Sequence, residues 1–310
     1  MAVQLNHIAG NSYFLDGDNG VGVYVFSDRT CLLVDSGSSA SQAKKIMTVL
    51  SEEGLQIETI FNTHAHVDHC GGNQYLQTQC QCRIIASPLA AAIIENPILG
   101  PAMLFTAYPL RVLRSRILMA SPSKVDQIIG PGSLLIKNEL FQIYDLPGHS
   151  LGQTGLATPD GVVFLGDSLM HPRMLQEYPF LYMVDITRQL ETLAFIGSQK
   201  WPFVLLTHGG LVEDLGDCAE KNQARIAVIA QEILTLLDQR RSHEEILAAM
   251  LIQYDLSANS GQYYLVSSTI AAFISYLSEQ KMIKNRVEQG VMKFYRGSFR
   301  DRKEESTGKG

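Results

Sequence analysis

Cysteine, long apolar runs and positive charge are all scarce in these 310 residues. The five cysteines, Cys31, Cys70, Cys80, Cys82 and Cys218, are odd in number and form no C-x-x-C pair. That argues against a disulfide framework and for a reducing, cytoplasmic setting. No uninterrupted apolar stretch approaches twenty residues, and no charged segment followed by an apolar one opens the chain. "MAVQLNHIAGNSYFL" goes straight into strand-like sequence. The expectation is a protein that is neither secreted nor membrane-spanning. The 25 Lys and Arg against 31 Asp and Glu leave −6, which gives no general pull towards nucleic acid or acidic membranes. Internal repeats are absent too. What remains is 46% hydrophobic with a mean hydropathy of +0.04, enough for a sizeable core in one large domain or two ordinary ones.

The hydrophobic pattern gives a layered α/β reading. Residues 3–37 alternate short β-like runs with turns, and the Asp16–Gly20 segment between "SYFL" and "VGVYVFS" is a hairpin signal. "SQAKKIMTVLSEEG" reads as an amphipathic helix closed by Gly54. The strand "IETIFNT", a helix near "GGNQYLQTQ" and the strand "CRIIAS" continue the β-α-β rhythm. Residues 88–128 break it. "PLAAAIIENP", "GPAMLFTAYPLRVLRSRILMA" and "SPSKVDQII" read as successive helices interrupted by prolines, either an extra layer on the core or the wall of a pocket. From Ser133 the β pattern resumes, with a hairpin signal at Pro159-Asp160-Gly161. Beyond about residue 217 three helical patterns follow, one of them opened by the capping-box pair Ser242 and Glu245. A short hairpin turning at Glu288-Gln289-Gly290 comes after them. Three helices and a hairpin predict a small winged-helix-like module. The domains are therefore 1–216, with a helical insertion at about 88–128, and 217–300. The polar tail 301–310 is expected to be disordered.

The chemistry concentrates in "FNTHAHVDHCGG". His64, His66, Asp68 and His69 stand within six positions, just after a predicted strand. In a strand-to-helix turn His64 and His66 can face one point while Asp68 and His69 face a second nearby. Each pair needs further ligands, since a catalytic zinc takes about three protein ligands plus water. His149 in "DLPGHS", Asp167 in "FLGDS" and His208 in "LLTHGG" supply candidates at the ends of later strands. Buried imidazoles and carboxylates without a cation would cost several kcal/mol. His7, His171 and His243 read as ordinary core or surface histidines, and Cys70 as a packing thiol.

With these motifs in order, roughly residues 5–210 resemble the metallo-β-lactamase-fold hydrolase superfamily, whose H-x-H-x-D-H signature "THAHVDH" matches in full. The resemblance implies a four-layer αββα sandwich with a dinuclear metal site at one edge. His64, His66 and His149 would hold one metal, Asp68, His69 and His208 the other, and Asp167 would bridge them. Asp35, in "LLVDSG", resembles the aspartate that orients a ligand histidine. Imidazole and carboxylate suit two divalent ions, with zinc first and iron or manganese as alternatives. Such ions lower the pKa of a bound water from about 15.7 towards 7 for attack on a carbonyl or phosphoryl centre. Asp68 would ligate and also orient the nucleophile or pass a proton to the leaving group.

Fold does not fix substrate. The "THGG" segment lacks the glutamate-tyrosine that follows the last histidine in the glyoxalase II pattern, which sets a glutathione thioester aside. A lactamase domain followed by a winged helix also resembles some endoribonucleases, but a nuclease needs a basic track. Residues 238–300 hold eight Lys and Arg against six Asp and Glu, only +2, and the presumed recognition helix "GQYYLVSSTIAAFISYLS" carries no Lys or Arg. The module therefore reads as a cap or dimerisation element. The leading expectation is a hydrolase of a small ester, thioester or lactone. The alternatives are a phosphodiesterase or endoribonuclease, and a mononuclear iron persulfide dioxygenase.

Overall fold

The computed structural model describes residues 3–17, 19–256 and 259–297. The tail 301–310 lies outside them. Four antiparallel strands open the chain, β1 (Leu5–Ala9), β2 (Ser12–Leu15), β3 (Val21–Val25) and β4 (Thr30–Val34). Helix α1 (Ala40–Glu52) follows, capped by the Ser39 hydroxyl. Next come β5 (Gln56–Phe61), α2 (Val67–Cys70), α3 (Asn73–Cys80) and β6 (Arg83–Ala86). The insertion holds α4 (Pro88–Glu95) and α5 (Leu99–Phe105), then β7 (Gln127–Ile128). The second sheet contains β8 (Gly132–Ile136), β9 (Glu139–Asp145), β10 (Thr154–Ala157), β11 (Val162–Phe164), β12 (Phe203–Leu206) and β13 (Gly210–Leu211). Helices α6 (Pro172–Glu177) and α7 (Ile186–Ser198) separate β11 from β12. The chain then runs through α8 (Leu215–Leu236), α9 (His243–Gln253), α10 (Ser260–Glu279) and the hairpin β14 (Ile283–Glu288) and β15 (Val291–Arg296).

Alternation along the strands builds the layers. Leu33 of β4 and Ile60 of β5 face outward onto Ala43, Ile46 and Leu50 of α1 and Leu76 of α3. Their neighbours Leu32 and Phe61 face inward, against Phe141, Ile143 and Phe164 of the second sheet. Tyr24 meets Phe141 edge-on across this gap at 5.0 Å between ring centres. On the far side, Val163 of β11 and Val204 of β12 point outward onto Leu193 and Ile196 of α7 and Ile226, Ile229 and Ile233 of α8. Helix, sheet, sheet and helix follow one another with three hydrophobic seams between them. That is an αββα sandwich.

Two parts of the chain depart from the sequence reading. The insertion is less helical than its pattern. After α5 the backbone turns left-handed at Thr106 (φ 61°), and only a short 3-10 turn, Arg111–Leu113, forms before Pro122. "SPSKVDQII" is not a helix. Lys124 N donates to Gln77 Oε1 and Val125 N to Glu95 Oε1, so side chains take the amides that helix formation would use. The segment then joins β6 as the parallel edge strand β7. Helices α6 and α7 have no counterpart in the sequence reading, because they lie between the two later ligand motifs in a stretch without clear turn signals.

The C-terminal elements are the three helices and hairpin expected, with the Ser242–Glu245 capping box formed and a second one at Asn259 and Gln262. They do not have a core of their own. Ile246, Leu247, Met250, Ile270 and Phe273 belong to the same buried cluster as α7 and α8. No single helix among the described residues is long and apolar enough to cross a membrane, although α4 and α5, bent at 100°, reach that length and composition together.

Candidate metal centre

Strands β4, β5 and β6 run parallel, as do β11 and β12, so their carboxyl ends gather at common edges. Asp35 follows β4, His64 follows β5, His149 follows β9, Asp167 follows β11 and His208 follows β12. His66 caps α2, which carries Asp68 and His69. Close approach holds this loop in place: a Cβ on Gly71 would lie 2.3 Å from the Ser38 carbonyl oxygen, and one on Gly72 2.2 Å from that of Ser36. At Gly148 (φ 135°) a Cβ would meet the Gln189 backbone at 2.4 Å, so "PGH" needs its glycine for both reasons.

The seven side chains converge in two groups. The ligand atoms of His64, His66 and His149 lie within 4.8 Å of one another, and so do those of Asp68, His69, Asp167 and His208. Asp167 joins the groups, its Oδ2 standing 3.3 Å from His69 Nε2, 3.6 Å from His149 Nε2 and 3.7 Å from His208 Nε2. Asp68 Oδ2 is 3.1 Å from His208 Nε2.

Hydrogen bonds on the far side of each ring set the tautomers. Thr63 donates its hydroxyl proton to Asp35 Oδ2 at 2.8 Å, so its oxygen accepts from His64 Nδ1 at 3.1 Å. His149 Nδ1 donates to the Tyr182 carbonyl at 3.0 Å. His69 Nδ1 donates to Asp35 Oδ2 at 2.7 Å. Each of these rings therefore turns its Nε2 inward. His64 Nε2 and His149 Nε2 both point at His66 Nδ1, at 2.9 and 3.0 Å, where one proton can satisfy only one of them. His69 Nε2 is buried with no hydrogen-bond partner. Bare imidazole nitrogens and carboxylates aimed at shared points form a donor set for divalent cations.

The electrostatics agree. Burial pushes the His64, His66 and His149 pKa values down, that of His66 to about 3, so these rings stay neutral donors. Burial also disfavours charge on His69, but Asp167, Asp68 and Asp35 outweigh it and raise its pKa well above the usual range. For Asp167 and Asp68 burial works against ionisation, and His69 beside them overcomes it, so both remain carboxylates. Positive charge is favoured at the meeting point of the second group. Asp35 supports this arrangement from a left-handed backbone (φ 67°) and also accepts Thr63 N at 2.8 Å. Such a conformation costs a non-glycine residue roughly 1–2 kcal/mol and persists where the surroundings over-determine it.

All the site residues expected from the sequence thus come together, while His7, His171 and His243 stay outside both groups. Cys70 is buried against the α1 layer and its Sγ donates to the Ala65 carbonyl. The sequence reading did not find Thr63, which relays Asp35 to His64, or Tyr182. The Tyr182 carbonyl fixes His149, and its ring stacks edge-on to His66 and His149 at 5.5 and 5.7 Å. Thr63 could have been suspected as the residue just before a ligand, whereas nothing in "PFLYMV" marks Tyr182.

The site opens into a cavity of about 600 Å³. His66, Asp68, His149 and Asp167 form its floor, and the insertion forms much of its wall through Ile94, Met103, Leu104, Ile117 and Leu118. Leu265 of α10 closes one side. Ser268 of the same helix hydrogen-bonds the Tyr182 phenol, whose pKa burial raises.

Comparison with known proteins agrees with this geometry. Residues 9–209 match the family model for the metallo-beta-lactamase superfamily. A hydroxyacylglutathione hydrolase of Vibrio campbellii is 30% identical over 152 residues, 49% of this chain and 47% of that protein. One from Wigglesworthia glossinidia brevipalpis is 25% identical over 158 residues, 51% and 49%. The chain spans about half the length of these curated relatives. Among solved structures, a beta-lactamase domain protein from Burkholderia ambifaria superposes with a TM-score of 0.73 at 16% identity, covering 94% of this chain and 93% of that one. A metallo-beta-lactamase family protein from Thermus thermophilus gives 0.70 at 16% identity, with 95% and 98% covered. The strand-end ligands, the four layers and a family match over residues 9–209 lead to one assignment: this chain belongs to the metallo-beta-lactamase superfamily.

Proposed function

We propose that the chain is a dinuclear metal-dependent hydrolase of a small ester, thioester or lactone. The observation that carries this reading is the convergence of the Nε2 atoms of His64, His149 and His69 with two carboxylates on the floor of an apolar cavity. His64, His66 and His149 would hold one cation and Asp68, His69 and His208 the other, with Asp167 between them. Zinc is the simplest choice, and iron or manganese would suit the same donors. When bound, the pair supplies Lewis acidity and lowers the pKa of a water from about 15.7 towards 7.

The chain's own residues supply the rest. Asp68, held as a carboxylate and 3.1 Å from His208, accepts a proton from the attacking water or orients it, and it lies on the cavity floor where a leaving group would depart. Asp35 and Thr63 keep His64 and His69 in the donor tautomer. The apolar wall offers a substrate few competing hydrogen-bonding groups beside the polar floor. On this reading residues 1–216 carry the chemistry, and 217–300 close one side of the cavity. The five free thiols fit a reducing cytoplasm.

The curated relatives are named for hydroxyacylglutathione, a thioester, which favours a thioester among the three substrate classes. Metal analysis combined with a screen of esters, thioesters, lactones and phosphodiesters on one preparation tests the proposal. Two equivalents of metal with acyl-bond cleavage are expected. Cleavage of the phosphodiester alone would transfer the site to phosphoryl chemistry, and one equivalent of iron with oxygen uptake on persulfides would make it an oxygenase.

A further inference from the structure

The floor is not the only charged part of the cavity. Of the three arginines in "RVLRSR", Arg114 is engaged on the surface, its Nη1 donating to the Tyr108 hydroxyl at 3.1 Å and its guanidinium stacked over that ring at 5.2 Å. Arg116 is exposed as well but borders the cavity, flanked in its lining by Ile117 and Leu118, and has no hydrogen-bond or ion-pair partner among the described residues. Among the described residues it is the one Lys or Arg in the cavity lining. The carboxylates in that lining are Asp68 and Asp167, and both belong to the metal-ligand floor. An apolar chamber of about 600 Å³ therefore has its reacting groups on the floor and a single guanidinium, with its donors uncommitted, on the wall.

We propose that Arg116 recognises an anionic group, most simply a carboxylate, at the end of the substrate's hydrocarbon portion remote from the bond that is cleaved. The inference rests on the hydrolase reading and names its substrate class: acyl compounds with an apolar body and a distal negative charge. An arginine presents paired N–H donors that match a carboxylate's two oxygens. Set beside apolar walls, that contact is less screened than one in open water. A neutral acyl chain of the same length fills the wall equally well but leaves the guanidinium without an acceptor. Ionic strength and length of the chain both enter the recognition, because the carboxylate has to reach Arg116 while the carbonyl rests on the floor.

Monoethyl adipate and ethyl hexanoate, equal in chain length and different in the terminal carboxylate, are the substrate probes. Adipate and hexanoate themselves, titrated calorimetrically into the full-length metal-loaded protein, give a reading that does not depend on turnover. Wild type is expected to favour monoethyl adipate over ethyl hexanoate, and the adipate dianion over hexanoate with its single carboxylate, by about ten- to a hundredfold. In Arg116→Gln that ratio collapses to about one, and Arg116→Lys retains part of it. Equal handling by wild type of the two members of either pair, or a preference that survives Arg116→Gln, overturns the proposal. If neither ester is cleaved but adipate binds preferentially through Arg116, the recognition stands and the hydrolase reading falls. If hexanoate esters are cleaved without any preference, the hydrolase stands and the recognition falls.

Discussion

The floor and the wall of the cavity are built in opposite ways. On the floor, Thr63, the Tyr182 carbonyl and Asp35 hold the Nδ1 atoms of His64, His149 and His69, and Asp35 serves two of those rings from a left-handed backbone conformation. The wall comes from a segment with little regular structure, and much of its apolar surface is solvent-facing, with Ile117 83% and Met103 44% exposed. Chemistry tolerates little displacement, since a shift near one ångström costs a reaction roughly a hundredfold. Specificity within an apolar wall is a matter of a few contacts, each replaceable. One fold can therefore keep its floor and change its substrate.

Four substitutions sharpen or break that contrast. Asp167→Ala should do the most damage. With the joining carboxylate gone, elemental analysis should find fewer than two metal equivalents, and hydrolysis should fall by at least about a hundredfold. Full metal content in this variant would remove Asp167 from the floor. Asp35→Ala comes next, because Thr63 and His69 lose their acceptor. Competitive chelator titration should show metal affinity about 10–100-fold weaker, although Asp35 is not among the residues of either converging group. An unchanged affinity would mean that the left-handed aspartate is a packing feature only.

On the wall, Met103→Ala should raise KM for neutral acyl substrates by roughly tenfold or less while metal content stays at the wild-type level. A loss of metal there would erase the distinction between the two regions. The smallest effect belongs to Glu245→Gln, far from both. The ammonium of Lys293, then the Ser242 amide, hold the Glu245 carboxyl below its ordinary pKa of 4.5. A group with a depressed folded pKa stabilises above its unfolded value and loses that contribution as pH falls through the folded one. Thermal melts should therefore show a small deficit for the variant at neutral pH that fades as the pH drops below 4.5. A deficit that persisted in acid would come from something other than this ion pair.

The same contrast decides what was legible in the sequence. The seven converging side chains and Asp35 were readable, and Thr63 and Tyr182 were not, because residue types suited to metal binding are few and stand here where strands end. The layers were readable for a similar reason: Leu32 and Leu33, one residue apart, serve different seams, and alternation records that. The insertion misled. Its apolar spacing resembles helices, but amides such as those of Lys124 and Val125 are claimed by Gln77 and Glu95 from elsewhere in the chain. Sequence windows do not contain that information. Arg116 was invisible for the same reason, since its neighbours in "RSRIL" do not say which arginine borders the cavity.

The bond from His149 to the Tyr182 carbonyl has a consequence that reaches beyond the two converging groups. Val184 N and Asp185 N bond the Gly148 carbonyl, and Met183 N donates to the Thr269 hydroxyl on α10. The strap that aims His149 is thus tied to α10, 86 positions further along the chain. A change at Thr269 reaches His149 through that strap, although α10 contributes no side chain to either converging group.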